Sequence, residues 1–413
     1  MSERGTAPNP VPAWSAWRTV TWFGFVSLAG DLVYEGARSI TGPYLASLGA
    51  SALLVGLVTG AGEAAAMGLR LVFGPLADRS QRYWSLTVIG YAMTAVSVPL
   101  MAVAPFVGAA GLAVAATLVI TERTGKAVRS PSKSALLAHA AASVGRGRGF
   151  AVHKALDQVG AFAGPLVVAA VIALSGHAWL GLAVLAIPGA GSLLLLARIH
   201  RAVPDLSVYD PPAAAVAGTG EVGVGHPGRL PARFYLFAGF ASAATVGLMT
   251  FGVISFHLVH EGLVTEAVVP VVYAVGMGVE AVAALATGFA YDRVGARVLA
   301  VLPVVVATVP FLTFAPTLTV VLGGIVLWGA ATGILDSTVK AEVASLVPAA
   351  RLATAYGVFA AFQAGAALAG GALAGWLYAG GRADLVAVIG ACQLVALALL
   401  VPVLRQDRRQ PSA

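Results

Sequence analysis

The chain has 413 residues, 59% of them hydrophobic, with 49 glycines besides and only 10% charged; soluble domains carry about 45–50% apolar residues, glycine included, and about 25% charged ones. So little charge cannot cover the surface of a water-soluble fold of this length. That excludes soluble enzymes and nucleic-acid binders and points to an all-α, polytopic membrane protein.

An apolar helix of about 20 residues crosses a bilayer. Such runs predict twelve spans, at 17–46, 51–74, 84–104, 108–131, 149–174, 178–198, 233–258, 266–289, 297–315, 317–345, 353–379 and 385–404. The first follows Arg4 and Arg18 but is too long and too charged for a cleaved signal peptide, so it is read as a retained helix. Residues 199–232 hold Pro204, Pro211, Pro212, Pro227 and Pro231 with several glycines, the composition of a linker. This divides the chain into a six-helix bundle at 1–198, a cytoplasmic linker at 199–232 and a second six-helix bundle at 233–413.

Ionisable groups inside the spans carry the functional signal, since burying one at a helix centre costs about 2.5–3.5 kcal/mol or more. In the first span Asp31, Glu35 and Arg38 are spaced by four and three, so they share a helix face. Two nearby carboxylates disfavour simultaneous ionisation, a property that proton-coupled carriers use; a structural ion pair with Arg38 is the other reading. Glu63 lies mid-span among the small residues 60–66 of the second span. Arg70 sits closer to that span's end, where snorkelling explains it. The fourth span adds Glu122, Arg123, Lys126 and Arg129, and the fifth adds Lys154 and Asp157. If those spans are adjacent, Arg123 or Lys126 neutralises Asp157, and an anion site and a salt-bridge network stay equally open. Beyond the linker, Glu280 lies at a depth like that of Glu63, and Asp336 with Lys340 forms an intrahelical couple. His257 and His260 beside Glu261 are read as interfacial, and no metal or cofactor is expected. The single cysteine, Cys392, excludes a disulfide framework.

The basic residues orient the chain. With the N-terminus in the cytoplasm, 17 of the 25 Lys and Arg fall in cytoplasmic segments, seven within spans, and only Arg382 on the opposite side. This satisfies the positive-inside rule with both termini cytoplasmic, and it explains the formal net charge of +7 without invoking nucleic acid.

A repeat follows the second span of each half: Gly74-Pro75-Leu76-Ala77-Asp78-Arg79 recurs in pattern as Gly288-Phe289-Ala290-Tyr291-Asp292-Arg293. Gln158-x-Gly160 likewise matches Gln363-x-Gly365, which favours parallel six-helix halves. At these residues the chain resembles the major facilitator superfamily of secondary transporters. The segment from Gly74 through Arg82 resembles that family's signature between helices two and three, with Gln81 where glycine is common. Gly160-Ala161-Phe162-Ala163-Gly164-Pro165 resembles its antiporter-associated motif, without the downstream glycine pair, and 348–357 resembles its usual start of helix eleven. Asp31-x-x-x-Glu35, the run 123–129 and His153-x-x-x-Asp157 resemble a prokaryotic subgroup of mostly unassigned substrate.

The resemblance implies twelve transmembrane helices in two pseudo-symmetric six-helix bundles, a carrier and not an enzyme. It makes Gly74, Asp78, Arg79 and Arg82 gating residues, Asp78 capping the start of span eleven near Thr354 in the outward-open state. Gly160, Gly164 and Pro165 become the packing and bending points of helix five. The expected activity is proton-coupled efflux of a small organic or amphiphilic compound by a monomer in the cytoplasmic membrane. The pathway is expected to run through Asp31, Glu35, Arg38, Glu63, Arg123, Lys126, Asp157 and Glu280. The alternatives are uptake or facilitated diffusion of a small organic anion held by Arg123 and Lys126, and a non-transporting membrane sensor. No nucleotide-binding Walker loop occurs, which argues against an ATP-driven pump.

Overall fold

The structure is a computed structural model that describes residues 14–210, 230–348 and 351–407. Most of the expected linker (211–229, with Arg229), Ala349, Ala350, Arg4, Arg408 and Arg409 lie outside the described residues. Among the described residues there are sixteen α-helices and no strand. They are α1 (Ala16–Ser47), α2 (Ala52–Gly68), α3 (Arg70–Ser80), α4 (Tyr83–Met101), α5 (Gly111–Ala140), α6 (Arg146–Ser175), α7 (Ala178–Ala183) and α8 (Ala186–Ala202) in the first half. The second half holds α9 (Ala232–Gly247), α10 (Phe251–His260), α11 (Val269–Val294), α12 (Val301–Thr313), α13 (Leu318–Asp336), α14 (Thr338–Ser345), α15 (Leu352–Gly380) and α16 (Arg382–Asp407).

Local chemistry sets the helix ends. The Ser15 and Ser51 hydroxyls accept from the backbone N–H groups of Arg18 and Leu54, capping α1 and α2. Gly176 closes α6 in the left-handed region at φ 71°, a conformation that costs a side-chain-bearing residue roughly 1–2 kcal/mol.

Nine stretches among the described residues are long and apolar enough to cross a membrane. Five of them contain a pair of consecutive helices. The 45-residue stretch Val269–Thr313 is too long for one crossing and holds two, because α11 ends at Gly295 (φ +64°) and a 3-10 segment leads into α12. The helices α1 and α5 fall outside the nine because their middles are charged. Their 32 and 30 residues nevertheless measure about 48 and 45 Å, enough to span a hydrocarbon core of about 30 Å. Among the described residues this is consistent with twelve passes. Most boundaries shift by a few residues from the sequence reading, and the largest shift is at α5, which runs on to Ala140 and brings Lys133 into the helix. The span 108–131 leaves Lys133 among the 17 cytoplasmic Lys and Arg; in the structure its Nζ donates to Ser27 Oγ at 2.8 Å inside the first half.

Each half is held by its own helix pairs, α1 with α6 and α4 with α5 in the first, α11 with α13 and α9 with α16 in the second. Outward-facing apolar side chains such as Leu174 (90% exposed) and Leu194 (71%) form the surface that lipid would cover. Between the halves, α2 packs along α15, α1 against α10 and α6 against α11. The α2–α15 crossing is made of glycine. A Cβ on Gly60 would stand 2.9 Å from the Ala367 carbonyl oxygen, and one on Gly375 2.8 Å from Leu53 Cα. Gly56 and Gly371 each abut the other's carbonyl oxygen still more closely. Such approach lets two backbones touch with no side chains between them.

The apolar cores reveal which side is closed. At the end bearing the termini the cores are separate: Phe23, Tyr91, Leu137 and Ile199 belong to the first half alone, and Phe234, Phe237, Leu302 and Val343 to the second. At the opposite end a first-half core including Val33, Ile40, Val55 and Leu185 also takes in Phe256 of α10. The two halves thus meet away from the termini and part towards them.

Candidate functional site between the halves

The charges that disqualified α1 and α5 as simple apolar spans converge at mid-depth. Arg38 of α1 reaches across to α2, where its Nη2 lies 2.9 Å from Glu63 Oε1, and its Nη1 stands 3.6 Å from Glu35 Oε2. Arg123 of α5 approaches the same Glu63 oxygen at 3.8 Å and holds Glu122 Oε2 3.5 Å from its Nε. The neighbouring Oε1 of Glu122 accepts from the Thr94 hydroxyl at 3.4 Å. Arg123 and Glu122 are buried, at 6% and 4% exposure, so the pair sits in a low-dielectric setting where leaving either partner alone is costly.

Tyr34 forms the floor of this cluster. The Arg123 guanidinium carbon stands 4.3 Å and Lys126 Nζ 3.6 Å from its ring centre, distances at which the ring's negative face attracts a cation. Across the interface Tyr273 of α11 donates to Glu35 Oε2 at 2.5 Å, which ties the first-half cluster to the second half. Nearer the closed end, the Thr59 and Thr250 hydroxyls join α2 to the short break before α10 at 2.8 Å. That break, 248–250, frees the Met249 carbonyl, and Trp328 Nε1 donates to it at 3.0 Å.

A second polar group lies towards the terminus-bearing end. Asp31 faces Asp157 of α6, with the two carboxyls within hydrogen-bonding reach, and Arg129 Nη2 stands 4.0 Å from Asp31 Oδ1. Lys154 Nζ bonds Asp157 Oδ2 at 2.7 Å. His153 Nε2 and Lys133 Nζ both meet the buried Ser27 hydroxyl at 2.8 Å. The partner of Asp157 is therefore Lys154 with Asp31. Arg123 and Lys126 instead turn to Tyr34 and Glu63, because α5 lies against α2 and α4 more extensively than against α6. Asp31 and Glu35, neighbours on one helix, point to different partners.

In the second half Glu280 has one carboxylate oxygen, Oε2, buried without a hydrogen-bond partner. Asp336 and Lys340 pair at 2.9 Å and are half-exposed. His257 meets the Tyr378 hydroxyl at 3.1 Å, and the described residues hold no group of three metal-ligating side chains. Gly160 and Gly164 lie against the Leu28 and Leu32 carbonyl oxygens of α1, and Pro165 is inside α6. Gly365, matched to Gly160 by sequence, has open space around it, and the crossing of α15 uses Gly370, Gly371 and Gly375 instead. At the terminus-bearing end Asp78 accepts from the Tyr83 hydroxyl at 3.3 Å and makes no bond to Thr354. Arg79 and Arg82 are exposed and form no ion pair among the described residues, and Gly74 faces open space. The capping contact expected of Asp78 is thus unmade where the halves part.

Tyr34 and Tyr273 escaped the sequence reading. Tyr34 had a signal, since it stands beside Glu35 and four residues before Arg38 on the charged turn. Tyr273 had none, because a tyrosine in an apolar run reads as packing.

The family model described as Major Facilitator Superfamily matches residues 23–302. An uncharacterized protein of Mycobacterium tuberculosis (strain ATCC 25618 / H37Rv) is 52% identical over 402 residues, 97% of this chain and 96% of the relative. A relative from Mycobacterium bovis matches at the same identity and coverage. Among solved structures the nucleoside transporter NupG superposes with a TM-score of 0.70 at 13% identity, over 93% of this chain and 98% of that one. A bacterial homolog to the human lysosomal transporter Spinster, in an inward-facing and occupied conformation, gives 0.69 at 18% identity, over 96% and 98%. At such identities these structures share the fold. With its passes in two helical halves and charge gathered between them, the chain belongs to the Major Facilitator Superfamily and is a multi-pass membrane transporter of the secondary type, not an enzyme.

Proposed function

We propose that this protein is a proton-coupled exporter of a small organic or amphiphilic compound. It works as a monomer in the cytoplasmic membrane with both termini in the cytoplasm. The halves, 1–198 and 233–413 joined by the linker 199–232, alternate access to the cluster between them. The observations that carry the reading are two acids inside the spans that are poorly matched by cations: Glu280, whose Oε2 has no partner among the described residues, and Asp31, which faces the carboxyl of Asp157 and has its nearest cation, Arg129, at 4.0 Å. Acids of this kind take up and release protons as water reaches them, and intramembrane acids mark proton relays. Glu35 and Glu63, held by Arg38 and Tyr273, couple that event to the meeting of the halves. Asp78, Arg79, Arg82 and Gly74 serve the cytoplasmic gate, and Asp78 engages the start of α15 when that side shuts. Gly160, Gly164 and Pro165 keep α6 close to α1 through the cycle.

Purified protein in proteoliposomes loaded with a fluorescent amphiphile tests this. Efflux should accelerate when a pH gradient is imposed, and Glu280→Gln should abolish the acceleration while leaving slow, gradient-independent exchange. Flux indifferent to the gradient in the unmodified protein would sink proton coupling. Uptake or facilitated diffusion of an organic anion is the second reading, favoured by the cations Arg123 and Lys126 over Tyr34.

A further inference from the structure

The cations of the central cluster are not equally satisfied. Arg38 has Glu63 at 2.9 Å. Lys126 Nζ, by contrast, meets neither a carboxylate nor a hydrogen-bond acceptor among the described residues, only the Tyr34 ring at 3.6 Å. Arg123 is 94% removed from solvent, and its Nη1 donates to nothing among the described residues; the Glu63 oxygen 3.8 Å away is beyond hydrogen-bonding distance. An ammonium carries three donors and a guanidinium five, and a π-face offers neither a full acceptor. A charged donor taken out of water without an acceptor, as Arg123 Nη1 is, is expensive, and Lys126 beside it is only part-buried, so its ammonium stays reachable. The nearby acids are already engaged: Glu35 by Tyr273 and Arg38, Glu63 by Arg38, and Glu122 by Thr94 and the Arg123 Nε. These two donor groups, three residues apart on one turn of α5, are spaced so that a single oxyanion could accept from both.

We propose that Arg123 and Lys126, set over Tyr34, bind an anionic group of the transported compound, a carboxylate or a phosphonate-like oxyanion. This rests on reading the protein as a carrier of small organic compounds and holds for either direction of transport. Glu280, with its own unmatched oxygen in the other half, makes an amine the competing ligand.

The test uses the full chain purified in detergent, with no gradient, and follows thermal unfolding in the presence of four probes: benzoate, phenylphosphonate, benzylamine and benzyl alcohol. A ligand that binds the folded state raises the unfolding temperature by mass action. Benzoate or phenylphosphonate should stabilise the protein in a saturable way while benzylamine and benzyl alcohol do not, and the stronger of the two anions identifies the oxyanion preferred. Lys126→Gln should weaken the anion by about tenfold, and Lys126→Arg should retain it. Lys126 has no acid partner to orphan, so the pair stays informative even if Arg123→Gln fails to fold. Stabilisation by benzylamine equal to that by benzoate, no stabilisation by either anion, or unchanged binding in Lys126→Gln each overturns the site. Because the measurement involves no gradient, flux indifferent to pH removes proton coupling and leaves this site standing. Gradient-driven flux without anion binding removes this site alone.

Discussion

The interiors of the two halves are built from different chemistry on one scaffold. Facing the interface, the first half presents Arg38, Glu63, Arg123, Glu122 and Lys126 around one tyrosine. At the corresponding depth and towards the closed end the second half presents rings. Phe251, Tyr273 and Trp328 pack edge-to-face or tilted with centroids 4.7–6.2 Å apart, and His257, Phe314 and Tyr378 continue the series at 4.9–5.7 Å. Pseudo-symmetry therefore governs where helices lie, not what they offer a ligand. The first half brings charge to the meeting of the halves, and the second backs it with a buried aromatic core.

Three substitutions probe that division, in falling order of effect. Arg38→Ala removes the closest partner of Glu63 and a neighbour of Glu35 at once. Breaking a fully buried pair from one side costs about 3–5 kcal/mol; this pair is part-buried, at 22% and 16% side-chain exposure. The loss should therefore be somewhat smaller but still the largest of the three, read as a fall in the apparent melting temperature of the purified protein. Adding Glu63→Ala should recover part of the loss, and a strictly additive double variant would mean the pair is not coupled. Trp328→Phe keeps a ring in the second half but loses the bond to the Met249 carbonyl, a cost of about 1 kcal/mol. A loss as large as that of Arg38→Ala would show that the aromatic half also depends on a polar keystone. Lys340→Ala removes a half-exposed pair with Asp336. Its effect on melting should stay below about 1 kcal/mol, and anything larger would place that couple inside the charged network.

Much of this was legible in the chain itself. The spacing of Asp31, Glu35 and Arg38 placed them on one face, and the depth of Glu63 marked it as paired or functional, because hydrocarbon makes every exception to apolarity conspicuous. Which exceptions meet was not legible. Asp31 and Glu35 diverge although they are one turn apart, since their partners come from α6 and α11 and the rotation of those helices leaves no trace in periodicity. Lys133 was misplaced for a related reason: α5 continues past its apolar run, and a lysine there reads as the end of a span. The break at 248–250 was equally silent, as it contains neither proline nor glycine and is held by the distant Trp328 and Thr59.

The glycine crossing of α2 and α15 also bears on how fast the carrier can turn over. Interlocked side chains must change rotamer before two helices separate, and each change adds to the barrier. Backbones lying directly on one another have no such teeth. Parting Gly56 and Gly60 from Gly371 and Gly375 gives up dispersion contact alone, so the joint behaves as a smooth bearing. Resistance to motion is then concentrated in hydrogen bonds such as Thr59–Thr250 and Tyr273–Glu35. Those bonds lie beside the charged cluster between the halves.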